Sequence, residues 1–195
     1  MIFATEFSEK ERIYTGVELR PHFLLSEMNL KGSGIGAFIG PCQVKTEHLV
    51  DWEDRLVNDH IQAKQMVHFI GEFFGASLGE CVFAQRLLMA TMAQEINLRL
   101  HANAKSISKA DFVVREGDDL FIHGRKMSVS IVTSSPVSQL LHAGVNIDPA
   151  GAPVAAIGLK ELGIPEVEWV HAVLKSFAEE WESIEWACTK VRPVM

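Results

Sequence analysis

Alternating apolar and polar positions between residues 119 and 147 predict two consecutive β-strands separated by a Ser134-Ser135-Pro136 turn. Every second residue of each run is apolar, which is the pattern of a strand with one buried face. If the strands pair with their apolar faces aligned, the other face carries small polar residues and one lysine: Lys126, Ser128, Ser130, His142, Gly144 and Asn146. We expect this polar face to receive a small anionic ligand.

Other apolar runs predict further strands, over residues 12–25, 35–44, 66–74 and 111–116. The first strand is expected to break at Pro21, because proline donates no hydrogen bond to a neighbouring strand. His68 and Glu72 share one face of the third, so they are predicted to form a buried polar network or the wall of a site. Arg86, in the segment that follows, is predicted to face the same region.

Apolar residues at helical spacing predict three helices: residues 47–64, capped by Thr46; about 80–100; and a C-terminal helix that starts at Pro165. The last helix has an apolar seam of Val167, Val170, Leu174, Phe177, Trp181 and Ile184. That seam must pack against the sheet or a partner subunit, so a homodimer is an expectation. Because strands and helices do not alternate regularly, we expect an α+β fold with a mixed or largely antiparallel sheet flanked by helices.

Length and composition narrow the class of protein. The 195 residues are enough for a single domain over residues 1–195 with one core. A net charge of −7 argues against a broad nucleic-acid surface. No apolar run is long enough to span a membrane, and the N-terminus lacks the features of a signal peptide, so a cytoplasmic location is expected. Cys42, Cys81 and Cys188 are odd in number and widely spaced, which predicts buried thiols.

The lysine and the histidine of the two strands are the first candidates for chemistry. Gly124 and Arg125 form a turn before Lys126, whose ammonium group can stabilise negative charge on a phosphate or carboxylate. His142 can donate to a carbonyl or transfer a proton, and Asn146 can orient a carbonyl or amide. A solvated hairpin lysine and a half-buried structural histidine are the alternatives, and the residues alone leave both open.

Arg20 and His22 lie on either side of the expected break at Pro21. Arg20 can grip a carboxylate or phosphate through two hydrogen bonds. A solvated arginine at a surface edge is the alternative, with equal weight.

Asp51 and Asp54 lie on one face of the predicted helix over residues 47–64. Because Mg²⁺ takes one or two carboxylates together with phosphate oxygens, the two aspartates can hold the metal of a bound nucleotide. A surface ion pair between Asp51 and Arg55 is the favoured alternative.

The segment GDDLFIHGRKMSVSIVTSSPVSQLLHAGVNI resembles the shared core of the biotin and lipoate protein ligase and octanoyltransferase superfamily. In that core a lysine after a glycine turn opens one strand, and a second strand carries histidine, glycine and asparagine. Over nearly its whole length the chain also resembles an uncharacterised prokaryotic family, domain of unknown function three-six-six. The motifs that carry this second resemblance are LRPHFLL, FIGPCQV, VDWEDR, VHFIGEFF, AQRLL, GRK, HAGVNI and TKVRPV.

The ligase resemblance implies the fold of the ligase catalytic module, ATP and Mg²⁺ as cofactors, and a small carboxylic acid or its acyl adenylate as ligand. It also implies that Lys126 contacts the activated acyl group and its phosphate. With Lys126 and His142 in catalytic roles, the residues predicted to bind substrate or cofactor are Arg20, His22, His68, Arg86, Gly124, Arg125, Ser128, Gly144 and Asn146. No residue is assigned to a resident metal ion.

The sequence departs from the ligase superfamily at two places. It has no arginine-rich and glycine-rich loop, for which GSGIG at residues 32–36 is a weak substitute, and no Pro-Cys-Gly follows HAGVNI. Three functions therefore stay open. The first is a ligase or acyltransferase acting on a small carboxylic acid, the second a non-catalytic binding or assembly module on the same scaffold, and the third a metal-dependent hydrolase.

Overall fold

The computed structural model describes residues 3–102 and 108–194. Its strands, in chain order, are β1 (Ala4–Ser8), β2 (Gly34–Val44), β3 (Ile61–Phe73), β4 (Val114–Glu116), β5 (Asp119–Ile122), β6 (Arg125–Lys126), β7 (Ser128–Ser134) and β8 (Gln139–Asp148). Its α-helices are α1 (Phe23–Met28), α2 (Trp52–Leu56), α3 (Leu78–His101) and α4 (Glu166–Thr189). None of these helices has the length and apolar character needed to cross a membrane.

A five-stranded sheet in the order β1-β2-β3-β8-β7 is the framework of the molecule. β1 pairs with β2 in parallel, and the other neighbours in this sheet are antiparallel. A second, small sheet has the order β4-β5-β6. The prediction of a mixed, largely antiparallel sheet flanked by helices is confirmed.

The two long helices, α3 and α4, cover one face of the large sheet. α3 begins with a capping box, because the Ser77 hydroxyl accepts from the Glu80 amide at 3.2 Å and the Glu80 carboxylate accepts from the Ser77 amide at 2.6 Å. Under α4, the ring of Trp169 stands perpendicular to that of Phe69, with centroids 5.8 Å apart. Burial of each large apolar side chain here contributes roughly 1.5–3 kcal/mol, so this layer carries much of the stability.

The middle of the α4 seam packs against the sheet. Val170, Leu174 and Phe177 are buried in the core, whereas Val167 and Ile184 are 44% and 41% exposed. The predicted seam is therefore buried only in its middle, and the expectation of a homodimer stays without structural support.

α1 and the segment around Tyr14 cover part of the other face of the sheet. Tyr14, Phe23, Phe38, Met66 and Ile70 form the centre of a second apolar cluster there. The carboxylate of Glu72 accepts from the His22 amide at 2.9 and 3.0 Å, and from the Ser138 hydroxyl at 2.7 Å. These bonds satisfy a carboxylate that is almost fully buried and fix the start of α1 to β3.

Two predicted elements are wrong. Residues 12–25 do not form a strand: Tyr14 makes an isolated bridge to Cys42, and α1 begins at Phe23. Nor is there one helix over residues 47–64, because α2 is short, Asn58 has a left-handed φ of 55°, and β3 begins at Ile61. Pairing of the 61–63 segment with β2 supplies the backbone partners that a helix would otherwise need.

The cap predicted for that helix is also different. Asp51, not Thr46, caps α2, and its carboxylate accepts from the Glu53 amide at 2.7 Å. The Thr46 hydroxyl instead donates to the Asp59 carbonyl oxygen at 2.7 Å.

The register between β7 and β8 corrects the predicted polar face. The opposing pairs are Ser128 with Val145, Val129 with Gly144, Ser130 with Ala143 and Ile131 with His142. Because paired residues point to the same side, Ser128 and Ser130 share the helix-covered side with the apolar residues of β8. Alternation fixes the two faces of each strand but not the register between strands, and one residue of slip exchanges the faces.

Hydrogen bonds explain why the two serines are tolerated on that side. The Ser128 hydroxyl accepts from the Leu120 amide at 2.8 Å, and the Ser130 hydroxyl accepts from the Gln85 side-chain amide at 2.7 Å. Small hydroxyl groups therefore join β7 to the small sheet and to α3.

The cysteines match the prediction only in part. Cys42 and Cys81 are buried free thiols, whereas Cys188 is exposed near the end of α4. The prediction of a buried thiol at Cys188 was wrong.

Candidate functional site

A cleft of about 270 Å³ is formed where the α2 region and the 152–156 loop approach β7 and β8. Residues 49–51, 54 and 59–62 line one side, and residues 118–119, 126 and 128–131 line another. His142 and Asn146 of β8 also contribute to its wall. The volume is slightly below that of a typical drug-sized pocket, so a small molecule is the kind of ligand that the cleft can enclose.

Lys126 stands at the wall of this cleft. Its ammonium group lies 2.8 Å from an oxygen of Asp119, and its side chain is 31% exposed. Its backbone amide donates to the Ala155 carbonyl at 3.0 Å, and its carbonyl accepts from the Ile157 amide at 3.0 Å. The lysine is thus held on a fixed backbone and has an ionic partner, with part of its side chain still accessible to a ligand.

The cleft is strongly acidic. Five aspartates line it, namely Asp51, Asp54, Asp59, Asp118 and Asp119. Burial raises the pKa of Asp54, and the neighbouring carboxylates of Asp51 and Asp59 raise it further. Burial also raises the pKa of Asp119, while the hydrogen bond from Lys126 opposes that rise. A ligand that enters this cleft meets a surplus of negative charge.

His68 and His142 form a buried chain of hydrogen bonds that leads to the cleft. Nε2 of His68 lies 3.3 Å from the Gly40 carbonyl oxygen, and Nδ1 of His68 lies 3.1 Å from Nε2 of His142. Burial lowers the pKa of His68 to about 3. Burial, and then the neighbouring His68 ring, lower the pKa of His142 well below its usual value. Both rings are therefore neutral at physiological pH.

The direction of the hydrogen bonds follows from this neutrality. The Gly40 carbonyl only accepts, so Nε2 of His68 carries the proton and its Nδ1 accepts. Nε2 of His142 must then donate, which leaves its Nδ1 as an acceptor on a ring that lines the cleft. Tyr14 stacks on both rings, with centroid distances of 3.8 Å to His142 and 4.9 Å to His68.

Asn146 lies on the same wall of the cleft, and its side-chain amide nitrogen donates hydrogen bonds to backbone carbonyl groups. It donates to the Ile157 carbonyl at 3.3 Å and to the Lys126 carbonyl at 3.5 Å. Its carbonyl oxygen makes no hydrogen bond to any residue that the structure describes. Asn146 therefore connects β8 to the Lys126 backbone and can present an acceptor to the cleft.

Gly144 does not open the ligand-sized space that its position suggests. A Cβ at this glycine would lie 2.8 Å from Cε of Met66 and 3.3 Å from Cγ2 of Val129. The space between His142 and Asn146 is therefore occupied by neighbouring side chains. Gly144 is required for close packing between the strands.

Several residues predicted to bind ligand do not line the cleft. Arg20 pairs with Glu27 at 3.2 Å, and the Arg125 guanidinium makes two hydrogen bonds to Glu161, at 3.0 and 2.6 Å. Arg86 reaches the cleft indirectly, because it lies 3.0 Å from Asp118, which does line it.

Three other residues predicted to bind ligand, His22, Gly124 and Ser128, have roles in the packing or turns of the fold. The His22 ring stacks on Phe74, away from the cleft lining, and Gly124 provides a left-handed φ of 69° in the turn between β5 and β6. Ser128 lines the cleft, although its side chain is nearly fully buried. The structure thus brings together Lys126, His142 and Asn146, with His68 behind His142, whereas the Ser128 side chain points to the helix-covered side of the sheet.

Sequence reasoning missed three aspartates that line the cleft, Asp59, Asp118 and Asp119, and also Tyr14, which stacks on His142 behind it. Asp118 and Asp119 belong to the GDDLF run, but a pair of aspartates before a strand is also an ordinary turn signal. Asp59 lay inside a predicted helix, and Tyr14 lay in a predicted strand that does not form. No sequence pattern predicted the stacking of Tyr14 on the two histidines, because it depends on contacts between distant segments.

Asp51 and Asp54 are the two residues that, from the sequence, can hold the metal ion of a bound nucleotide. Asp51 and Asp54 both line the cleft, and the Asp51–Arg55 ion pair favoured from the sequence is not among the contacts of the described residues. Instead, Arg55 donates to the Leu49 carbonyl at 3.3 Å. Over residues 3–102 and 108–194, no three His, Cys, Asp or Glu side chains are grouped to hold a metal ion. These residues therefore offer no candidate metal centre for a metal-dependent hydrolase. Mg²⁺ bound to a nucleotide needs only one or two protein carboxylates, so this result does not concern it.

The fold places the chain in a structural class, that of the biotin and lipoate protein ligase fold. A mutant biotin protein ligase from Aquifex aeolicus in complex with biotin is similar with a TM-score of 0.57 and 14% identity, over 93% of this chain and 71% of that one. Lipoate-protein ligase A bound with ATP is similar with a TM-score of 0.51 and 10% identity, over 91% and 85% of the two chains. Identities this low establish a shared fold alone.

Within that class the chain belongs to the family described as domain of unknown function (DUF366), whose model matches residues 3–192. A solved protein of unknown function from Pyrococcus horikoshii is similar with a TM-score of 0.87 and 34% identity, over 99% of this chain and all of that one. The uncharacterized protein MJ0805 of Methanocaldococcus jannaschii is 27% identical over 205 aligned positions, which cover 100% of this chain and 89% of that protein. Both predicted resemblances are confirmed.

Proposed function

We propose that this protein is a ligase-like or acyltransferase-like enzyme that binds a small carboxylic acid, or its acyl adenylate, in the cleft. The observation that carries the proposal is the position of Lys126, whose accessible ammonium group stands at the wall of a small cleft on a ligase-type fold. An ammonium group fixed at such a wall stabilises negative charge on a carboxylate or a phosphate.

The chemistry proposed for the cleft is attack of the carboxylate on the α-phosphorus of ATP. A new bond forms between the carboxylate oxygen and phosphorus, and the bond to the β-phosphate bridging oxygen breaks to release pyrophosphate. Lys126 would hold the charge that develops on the α-phosphate. Asn146 and His142 offer hydrogen-bond acceptors for the rest of the ligand.

The acidic lining makes Mg²⁺ a necessary part of this proposal. Phosphate oxygens beside five aspartates would be repelled unless a cation bridges them. Asp51 and Asp54 are the residues that we propose for contact with the metal of the nucleotide, since one or two carboxylates are the usual protein share of such a site.

Exchange of pyrophosphate into ATP tests this proposal, because adenylation run backward is the only step that gives it. With a panel of small carboxylic acids, at least one acid should give exchange, and Lys126→Ala should slow it about a hundredfold or more. Lys175→Ala removes a lysine from the surface of α4 and should exchange like the wild type. Absence of exchange with every acid, or unchanged exchange in Lys126→Ala, would overturn the proposed adenylation.

A non-catalytic binding module is the second candidate, and one observation favours it. The ammonium of Lys126 already has an ionic partner in Asp119, and no other lysine or arginine is found in the cleft lining of the described chain. A catalyst of phosphoryl chemistry normally places more positive charge around the phosphates. Binding of a carboxylic acid by calorimetry, with no pyrophosphate exchange, would favour this module over the enzyme.

A further inference from the structure

Carboxylates predominate among the charged side chains of the described cleft lining, which also includes the side-chain amide of Gln62 and the ring of His60. Five aspartates line the cleft, and Lys126, the one lysine among the lining residues that the structure describes, is already paired with Asp119. The lining contains no arginine among the described residues, and Arg86 contacts Asp118 from outside it. With Lys126 counted, the aspartates exceed the lysines by four.

Two buried side chains add acceptors that no protein group uses. His142 is 2% exposed, and its hydrogen bond to His68 is made through Nε2, so Nδ1 keeps a lone pair without a partner among the described residues. Asn146 is 7% exposed, and both of its hydrogen bonds are made through Nδ2, so its Oδ1 is likewise unused. Both residues line the cleft.

Such a set of groups favours a cationic donor. Nδ1 of His142 and Oδ1 of Asn146 are not fully enclosed, so a donor of the ligand can replace water there, and clustered carboxylates repel one another unless a cation lies between them. A carboxylate group alone would satisfy Lys126 but none of these acceptors. A protonated amino group supplies both the charge and up to three N–H donors.

We propose that the ligand of this cleft is a small carboxylic acid that carries a protonated amino group, with the carboxylate near Lys126 and the ammonium near the aspartates. This inference rests on the proposed function for the carboxylate end of the ligand. The ammonium end rests on the acidic lining and on the unused acceptors of His142 and Asn146. Asp54 is the aspartate chosen for the test, because it lines the cleft from α2 and is partly shielded from water. The test is made without ATP and Mg²⁺, so that no metal competes with the amine for this carboxylate.

Three probes of similar length separate the two ends of the ligand: hexanoate, 6-aminohexanoate and pentane-1,5-diamine. Calorimetric titration of the whole protein at pH 7 should give binding of 6-aminohexanoate about tenfold or more tighter than that of hexanoate, since the amino group gains charge-assisted hydrogen bonds. The diamine should also bind, although it has no carboxylate.

Asp54→Asn keeps the shape of the side chain and removes one charge from the cleft, whereas Glu53→Gln removes a charge from the exposed side of the same helix. Asp54→Asn should weaken both amines about tenfold and leave hexanoate unchanged or slightly tighter. Glu53→Gln should bind all three probes as the wild type does. Thermal unfolding of both variants without probe establishes that each is folded.

Equal or tighter binding of hexanoate than of 6-aminohexanoate would overturn the inference, as would binding of none of the probes or equal amine binding by Asp54→Asn. These failures are distinguishable from failure of the proposed function. If pyrophosphate exchange occurs with unsubstituted acids and shows no preference for amino acids, the proposed adenylation stands and the proposed amine recognition fails. Tight amine binding without any exchange would retain the amine site and reject adenylation.

Discussion

Nε2 of His142 lies 3.1 Å from Nδ1 of His68, and the two rings are stacked against Tyr14. The pair connects the Gly40 carbonyl to the wall of the cleft, so it belongs both to the core and to the candidate site. Because a charge on either ring would be buried beside the other, the fold is compatible only with the neutral pair.

This neutrality predicts a loss of stability in acid. In the unfolded chain histidines titrate near pH 6.5, whereas the pKa of folded His68 is about 3 and that of His142 is also lowered. Below pH 6.5 the unfolded chain therefore binds more protons, and the free energy of unfolding falls as the pH falls toward 3. The slope is up to about 1.4 kcal/mol per pH unit for each histidine.

Urea unfolding between pH 7.5 and pH 4.5 measures this dependence. For His68→Asn, the free energy of unfolding should fall less steeply with falling pH than in the wild type. The difference in slope should be about the contribution of one histidine, even though the variant is less stable at pH 7.5. His123→Asn, at a histidine outside the core whose left-handed φ asparagine adopts readily, is measured beside it as the control for removal of a histidine. A His68→Asn slope equal to that of the wild type would contradict the neutral pair.

The ion pair between Lys126 and Asp119 predicts a coupled titration. Burial raises the pKa of Asp119, and the hydrogen bond from Lys126 holds that rise back. Lys126→Met should therefore raise the pKa of Asp119 further, as measured by NMR titration of the side-chain carboxyl carbons.

Lys64 provides a matched control, because it pairs with Asp148 at 3.1 Å and lowers the pKa of that carboxyl group. Lys64→Met should raise the pKa of Asp148 and leave that of Asp119 unchanged. If Lys126→Met left Asp119 unaffected, the lysine would not be held at the cleft wall by this contact.

The sequence predicted the elements with strong local patterns and missed those decided by distant contacts. The strand over 66–74 and the helix over 80–100 were predicted because their apolar residues must meet a large buried surface. Residues 47–64 have helical spacing too, but Ile61 pairs with Val44 of β2, and this contact is not visible in the local pattern.

In the candidate site, too, residues in segments with a strong local pattern were predicted, and residues placed by distant contacts were missed. Lys126, His142 and Asn146 were found from alternation and a family resemblance, and the structure places all three at the cleft. The assumed register was wrong for Ser128 and Ser130, since local alternation does not determine which faces of two strands coincide. Asp59 and Tyr14 come from segments whose local structure was mispredicted, so neither was predicted as a site residue.

Gly40 and Gly79 are predicted to respond in opposite ways to alanine. A Cβ at Gly40 would overlap the backbone carbonyl of Arg12, which cannot move aside like a flexible side chain. Gly40→Ala should therefore cost more than about 3 kcal/mol of unfolding free energy. Gly79 lies in the first turn of α3, where a Cβ meets only the Ser77 hydroxyl at 4.0 Å.

Gly79→Ala should stabilise the protein by about 0.5–1 kcal/mol, because alanine favours a helix over glycine. Urea unfolding of both variants beside the wild type provides the comparison, with soluble yield as a second measure if Gly40→Ala does not fold. A Gly40→Ala midpoint close to that of the wild type would show that the segment around Arg12 can move away from β2.

The three thiols should differ sharply in reactivity. Burial raises the pKa of both Cys42 and Cys81 to about 12, so neither is a thiolate at pH 8, whereas Cys188 is exposed. Titration with a thiol-reactive disulfide dye should therefore release one equivalent rapidly from the native protein and three after denaturation. Cys188→Ser should remove the rapid phase and leave the total at two. Rapid release of more than one equivalent from the native protein would mean that a buried thiol opens to solvent, which the packing of β2 and α3 does not predict.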